Sequence, residues 1–121
     1  MFQIQNTKQY DLEDRTLKFA LDIRLFVKQL PKNITNFEDV KQLIRSSASV
    51  GANYIEANES LSKKDFLMRI KISKKETKES RFWLKLIDTN SDKNLGQQRD
   101  AFINESTELM KILAAIIEKS R

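Results

Sequence analysis

RSSASVGANYIEANES, residues 45–60, decides how this chain is read: four serines, two asparagines and a glycine suit a loop, yet helical patterns reach it from both sides. No proline interrupts it. Phe37, Val40, Ile44, Ser47, Gly51 and Tyr54 recur at spacings of three or four, which is one face of a single helix. At about 100° per residue, Ser47, Gly51 and Tyr54 fall on one side, while Arg45, Ser49, Ala52 and Glu56 fall on another. The stretch therefore reads as the middle of a helix. A glycine inside a helix costs about 1 kcal/mol relative to alanine, so Gly51 asks for a compensating reason. Close approach of a second helix, within one subunit or between subunits, is the plain one; a ligand site is the other.

Three more helices flank this one. The first carries Leu12, Phe19, Ile23, Phe26 and Leu30 as its stripe, widened by Leu17, Ala20, Leu21 and Val27, and Pro31 stops it. The second starts at Thr35-Asn36-Phe37-Glu38, which has capping-box spacing. Ser62-Lys63-Lys64-Asp65 repeats that spacing before the third, with Leu61 and Phe66 placed as a hydrophobic staple. Phe66, Ile70, Trp83, Leu84 and Ile87 are its apolar positions, and Phe102, Ser106, Leu109, Leu113 and Ile116 are those of the fourth. The expected helices span roughly 8–30, 36–60, 63–89 and 95–119, joined by short connections that make neighbours antiparallel. The fold class is thus all-α, an antiparallel up-down-up-down four-helix bundle in a single domain over 1–121.

Composition agrees with that class. The chain has 121 residues, 40% hydrophobic, with two Gly and one Pro, enough for one core and poor in turn residues. No apolar run approaches the roughly 20 residues of a membrane span, and MFQIQNTKQY lacks the pattern of a signal peptide. A cytoplasmic protein with no membrane contact is expected. With no Cys and no His, thiolate nucleophiles, imidazole bases, disulfides and zinc fingers within the chain are excluded.

The third helix offers a match to the small residues of the second. Ser73, Thr77 and Ser80 occupy its middle at the same spacing, so Ser47 and Gly51 are expected to pack closely against Ser73 and Thr77, with hydroxyls bonded back to carbonyls. The run LIRSSASVGANYIEANESLSKKDFLMRIKISKKETKESRFWLKLI resembles the signature region of a bacterial four-helix-bundle family first noticed as proteins encoded in 23S rRNA intervening sequences, and RTLKFALDIRLFVKQLPKN is similar to its opening helix. The Arg-Ser-x-x-Ser-Val-Gly-Ala-Asn core of that run, then Glu-Ala and Lys-Asp-Phe, carries the likeness. The resemblance implies a bundle that assembles into rings of five. It also implies kinship with the accessory protein of diversity-generating retroelements, which binds nucleic acid beside a reverse transcriptase. Ser73-Lys74-Lys75 stands where relatives commonly have small apolar residues, so a more polar or looser middle of the third helix is expected.

Charge points to the same helix independently. The net charge is +5, and between Lys63 and Ile87 nine basic residues face three acidic ones, a local excess of +6 that leaves −1 for the rest. Lys64, Lys71, Lys74, Lys75, Lys78 and Lys85 cover a broad arc, suited to RNA or DNA phosphates; a solvated face with interleaved glutamates paired at i,i+4 is the alternative. That face carries no ladder of aromatic residues, which speaks against stacking on single strands as the main mode of binding.

Glu56/Glu59, Glu76/Glu79 and Glu105/Glu108 are three Glu-x-x-Glu pairs on three helices. Inward carboxylates of bundles can hold two metal ions, but the usual form includes Glu-x-x-His; solvated charges or ion pairs are the preferred reading, with no metal, cofactor or catalytic residue. Arg45, Asn53, Glu56, Glu76 and Glu79 are expected instead to form a partly buried polar network that fixes helix register or a contact between subunits. Phe82, Trp83 and Leu84 together cover about 200° of helix, so at least one lies outside the subunit core as an interface anchor, and Tyr54 and Phe2 raise the same question. The expected function is non-enzymatic: a homo-oligomeric, nucleic-acid-binding accessory or scaffold. A protein-binding adaptor for an acidic partner is the alternative, and a metal-dependent carboxylate enzyme comes third.

Overall fold

Four helices follow one another in the computed structural model, which describes residues 11–121: α1 (Leu12–Val27), α2 (Ile34–Asn58), α3 (Lys63–Leu86) and α4 (Lys93–Lys119). They form the antiparallel up-down-up-down four-helix bundle that the sequence patterns predict. α2 packs against α1 and α3, α4 packs against α3, and a thinner α1–α4 seam closes the bundle.

Each helix begins on a side chain that accepts a hydrogen bond from an otherwise unpaired backbone N–H. Asp11, Asn33, Ser62 and Asp92 are those caps. Ser62 is the expected one. At α2 the cap is Asn33, which accepts from Asn36 N at 2.9 Å, so the helix starts before the predicted Thr35 box; the Thr35 hydroxyl bonds to the Asn33 side chain instead. The Leu61–Phe66 staple does not form, because Leu61 is 100% exposed. α1 ends at Val27, before Pro31, and α3 ends at Leu86 rather than 89 because Ile87 takes an extended conformation (ψ 133°). α4 starts at Lys93, two residues early, on its Asp92 cap.

Two loops meet at one end of the bundle. Asn36 is buried, and its amide donates to the carbonyls of Pro31 (3.0 Å) and Asp88 (2.8 Å) while its oxygen accepts from Asp88 N (2.9 Å). One side chain thereby ties the α1–α2 connection to the α3–α4 connection. In the latter, Asn90 and Ser91 adopt left-handed φ values of 54° and 58°, and Asn tolerates that region better than most residues.

The core is built from Phe19, Ile23 and Phe26 of α1, Leu43 and Val50 of α2, Ile70 and Leu84 of α3, and Leu109 and Leu113 of α4, all essentially inaccessible. Burying each such side chain contributes about 1.5–3 kcal/mol. The first stripe is narrower than predicted: Leu17 and Leu21 are exposed, as is Leu25. On α2, Phe37 is exposed and Val40 and Ile44 only half-buried, whereas Leu43 and Val50 take the centre of the core. The reason is rotation. α2 has neighbours on two sides and buries Leu43, Ser46, Val50 and Ala57 beside the predicted face, together with Ser47 and Tyr54 of that face. Tyr54 is buried, and that burial raises its phenol pKa above the usual value. Phe2 lies outside the described residues.

Candidate functional site

α3 is positioned by its inward face of small polar residues. Ser73, Thr77 and Ser80 are all fully buried. Ser73 Oγ donates to the Val50 carbonyl of α2 at 2.7 Å, the hydroxyls of Ser80 and Ser46 bond to each other at 2.8 Å, and Thr77 Oγ1 bonds back to the Ser73 carbonyl at 2.8 Å. A buried hydroxyl without a partner is costly; here each has one. The middle of α3 is therefore tightly packed at Ser73, not loose, while Lys74 is half-buried and Lys75 exposed. Gly51 does not face α3. A methyl group on it would stand 2.8 Å from Thr16 Oγ1 of α1, so the glycine admits α1 while Ser46 and Val50 receive α3. The buried Ser47 bonds within α2, to the Ile44 carbonyl.

The flank of α3 toward α2 carries its glutamates. Arg45 Nη1 lies 3.2 Å from Glu76 Oε1 and its Nη2 2.8 Å from Glu79 Oε1. Glu76 keeps only 12% of its side-chain exposure. One guanidinium thus engages both carboxylates of the helix middle, the fork geometry for which Arg is suited. Asn53 and Glu56 stand apart from this cluster. Asn53 Oδ1 accepts from Arg69 at 3.2 Å, and Glu56 is exposed with no side-chain partner among the described residues. Arg81, the other arginine of α3, donates to Thr107 of α4 at 3.2 Å.

What remains on α3 is lysine. Lys64, Lys71, Lys75, Lys78 and Lys85, with Met68 and Phe82, step along the helix by fours and threes, and all seven are exposed. This row is roughly 31 Å long at 1.5 Å per residue. None of its lysines, nor Lys74, makes a hydrogen bond or ion pair among the described residues; elsewhere Lys18, Lys41 and Lys111 are paired, while the side chains of Lys28, Lys93 and Lys119 are not. Beside the row, a groove of about 480 Å³ has Lys71, Lys74, Lys75 and Lys78 on one wall and Met110, Ala114, Ile117 and Arg121 of α4 on the other. Glu118 lines it too, 3.6 Å from Arg121.

The three Glu-x-x-Glu pairs do not converge. Glu105 receives two hydrogen bonds from Arg15 (2.7 and 2.9 Å), Glu108 pairs with Lys111 at 3.5 Å, and no three carboxylates gather as metal ligands among the described residues. The Arg15–Glu105 pair, missed in the sequence because its partners are 90 residues apart, raises the pKa of the guanidinium through the hydrogen bonds it donates to Glu105. Phe82 is the residue of its triplet left outside, 55% exposed; Leu84 is buried, and Trp83 is half-buried with its indole N–H unpartnered among the described residues.

The molecule thus combines a four-helix bundle, a serine-glycine helix middle and an arginine held by two glutamates. The family model of the 23S rRNA-intervening sequence protein matches residues 8–115. The chain belongs to the 23S rRNA-intervening sequence protein family. A protein of unknown function from the S23 ribosomal protein family, from Bacteroides thetaiotaomicron VPI-5482, has a similar crystal structure: TM-score 0.71 and 32% identity, over 88% of this chain and 97% of that one. No curated protein matches this 23S rRNA-intervening sequence family member. No helix among its described residues is long and apolar enough to cross a membrane.

Proposed function

We propose that the protein is a non-enzymatic, homo-oligomeric accessory or scaffold protein that binds RNA or DNA through the lysines of α3. One observation carries this reading: Arg45 engages Glu76 and Glu79 on the α2 side, so the helix's middle glutamates do not neutralise Lys71, Lys74, Lys75 and Lys78. Interleaved i,i+4 pairing would have tied up Lys75 with Glu79; the arrangement supports a band in which all four lysines are unpaired instead. Such a band attracts phosphates mainly by releasing counterions, with affinity that falls steeply as salt rises. The exposed Leu17, Leu21 and Leu25 of α1, with Ile34 and Phe37 of α2, support self-association, and the family resemblance favours five copies. Repetition around a ring would multiply the lysine band.

The test is fluorescence anisotropy with RNA and DNA across a salt series. With four phosphates neutralised, raising salt from about 50 to 200 mM should weaken binding about 50- to 150-fold. Changing Lys71, Lys74, Lys75 and Lys78 together to Glu should abolish binding while helical circular dichroism stays intact. Absence of binding at low salt overturns the proposal and leaves the adaptor for an acidic protein.

A further inference from the structure

We propose that the α3 row takes single-stranded nucleic acid, with Phe82 as a platform on which one base stacks; this rests on the reading of the row as a phosphate-binding face. Phe82 stands in line between Lys78, one turn before it, and Lys85, one turn after it. The residue is 55% exposed. Trp83 supports it from the side, with ring centroids 5.1 Å apart at 74°, and Trp83 is itself packed on the core. An edge-to-face contact of this kind steadies a ring while leaving a face available.

The other strongly exposed phenylalanine behaves differently. Phe37 is 65% exposed, but the Lys41 ammonium sits 4.4 Å from its ring centroid and occupies its face. Phe82 has Lys78 four residues before it and Lys85 three after it, and among the described residues no cation lies over its ring. Its π-face therefore remains open beside ammonium groups that are themselves unpaired. Phosphates of a strand lying along the row would meet the lysines, and an unstacked base would meet the ring.

A duplex offers phosphates but keeps its base faces covered, so it would use the lysines and not Phe82. A single strand uses both. A second copy seated on the row would have to bring acidic groups to Lys78 and Lys85 to offset their charge, and the particle mass measured below detects it.

The experiment compares a mixed-sequence single strand with a duplex of equal length, binding to the full chain at low salt, for wild type, Phe82→Ala and Phe82→Trp. Base stacking on an aromatic side chain is lost in Phe82→Ala, which should weaken single-strand binding about 5- to 150-fold and leave the duplex unchanged. Phe82→Trp should keep single-strand affinity. Equal weakening of both ligands, or no weakening of the single strand, overturns the stacking role while the lysine reading stands. A change in particle mass of Phe82→Ala by light scattering also overturns it, placing Phe82 between copies. If neither ligand binds wild type, the lysine reading itself fails.

Discussion

α2 closes its two seams with small residues, whereas α1 and α4 close theirs with large ones. Against α3, the α2 backbone comes near enough for Ser73 to bond the Val50 carbonyl, and against α1 it has room only for the hydrogen of Gly51. Between α1 and α4 the contacts are the Arg15–Glu105 fork and the Phe26–Phe102 ring pair, with centroids 5.3 Å apart. Small residues permit close approach but little adjustment, because a packed interior gives no space for added volume. Long side chains reach across a wider gap and can rearrange. The α2 seams are thus the intolerant ones, and the rigid α2–α3 pair is the base on which the lysine row is held straight.

The largest effect is expected where a bulky group enters the α2–α3 seam. Ser73→Leu adds volume at a fully buried position and loses the bond to Val50, overpacking and hydrogen-bond terms that together come to about 2–4 kcal/mol; urea unfolding measures it. A variant as stable as wild type would show that the seam yields, and the contrast between seams would collapse. Gly51→Ala is expected to cost about 0–2 kcal/mol, the roughly 1–3 kcal/mol of overpacking against Thr16 less the roughly 1 kcal/mol gained in helix propensity. Thr16 cannot swing aside easily, because its hydroxyl bonds the Leu12 carbonyl at 2.6 Å. Thr16→Ala should be less damaging in the Gly51→Ala background than alone, and a double-mutant cycle reads that coupling directly. The smallest effect belongs to the α1–α4 seam. Arg15→Ala is expected to cost about 1 kcal/mol, because a pair about one-third exposed is screened by solvent; the difference from wild type should shrink in high salt. A salt-independent loss of several kcal/mol would mean that this seam is as intolerant as the other two.

Much of this was legible in the chain because it is local. Capping at Ser62, the stripes of α3 and α4, and the helical phase through residues 45–60 depend on neighbours within a few positions. Arg45 with Glu76 and Glu79 was also within reach, since the α2–α3 turn is short and antiparallel packing then sets which turns face each other. Leu17, Leu21 and Leu61 were misread for a shared reason: hydrophobicity says that a side chain prefers burial, not that a neighbour exists to bury it. Leu43 and Val50 were missed because Phe37, Val40 and Ile44 form an equally regular stripe one residue away. Two competing stripes on one helix are separated only by the partners on either side. Phe82 had the opposite problem, since its triplet indicated that one ring must be left out but not which one, nor that it would stand among lysines.

By itself the sequence determined the class, the number of helices, their antiparallel order and the concentration of positive charge on α3, all of which follow from periodicity, caps and short connections. Only the tertiary structure decided which helix Gly51 admits, which glutamates Arg45 engages, and therefore which lysines are left without a counter-charge. Those outcomes depend on the rotation of each helix about its own axis, and that rotation is set by the simultaneous packing of all four.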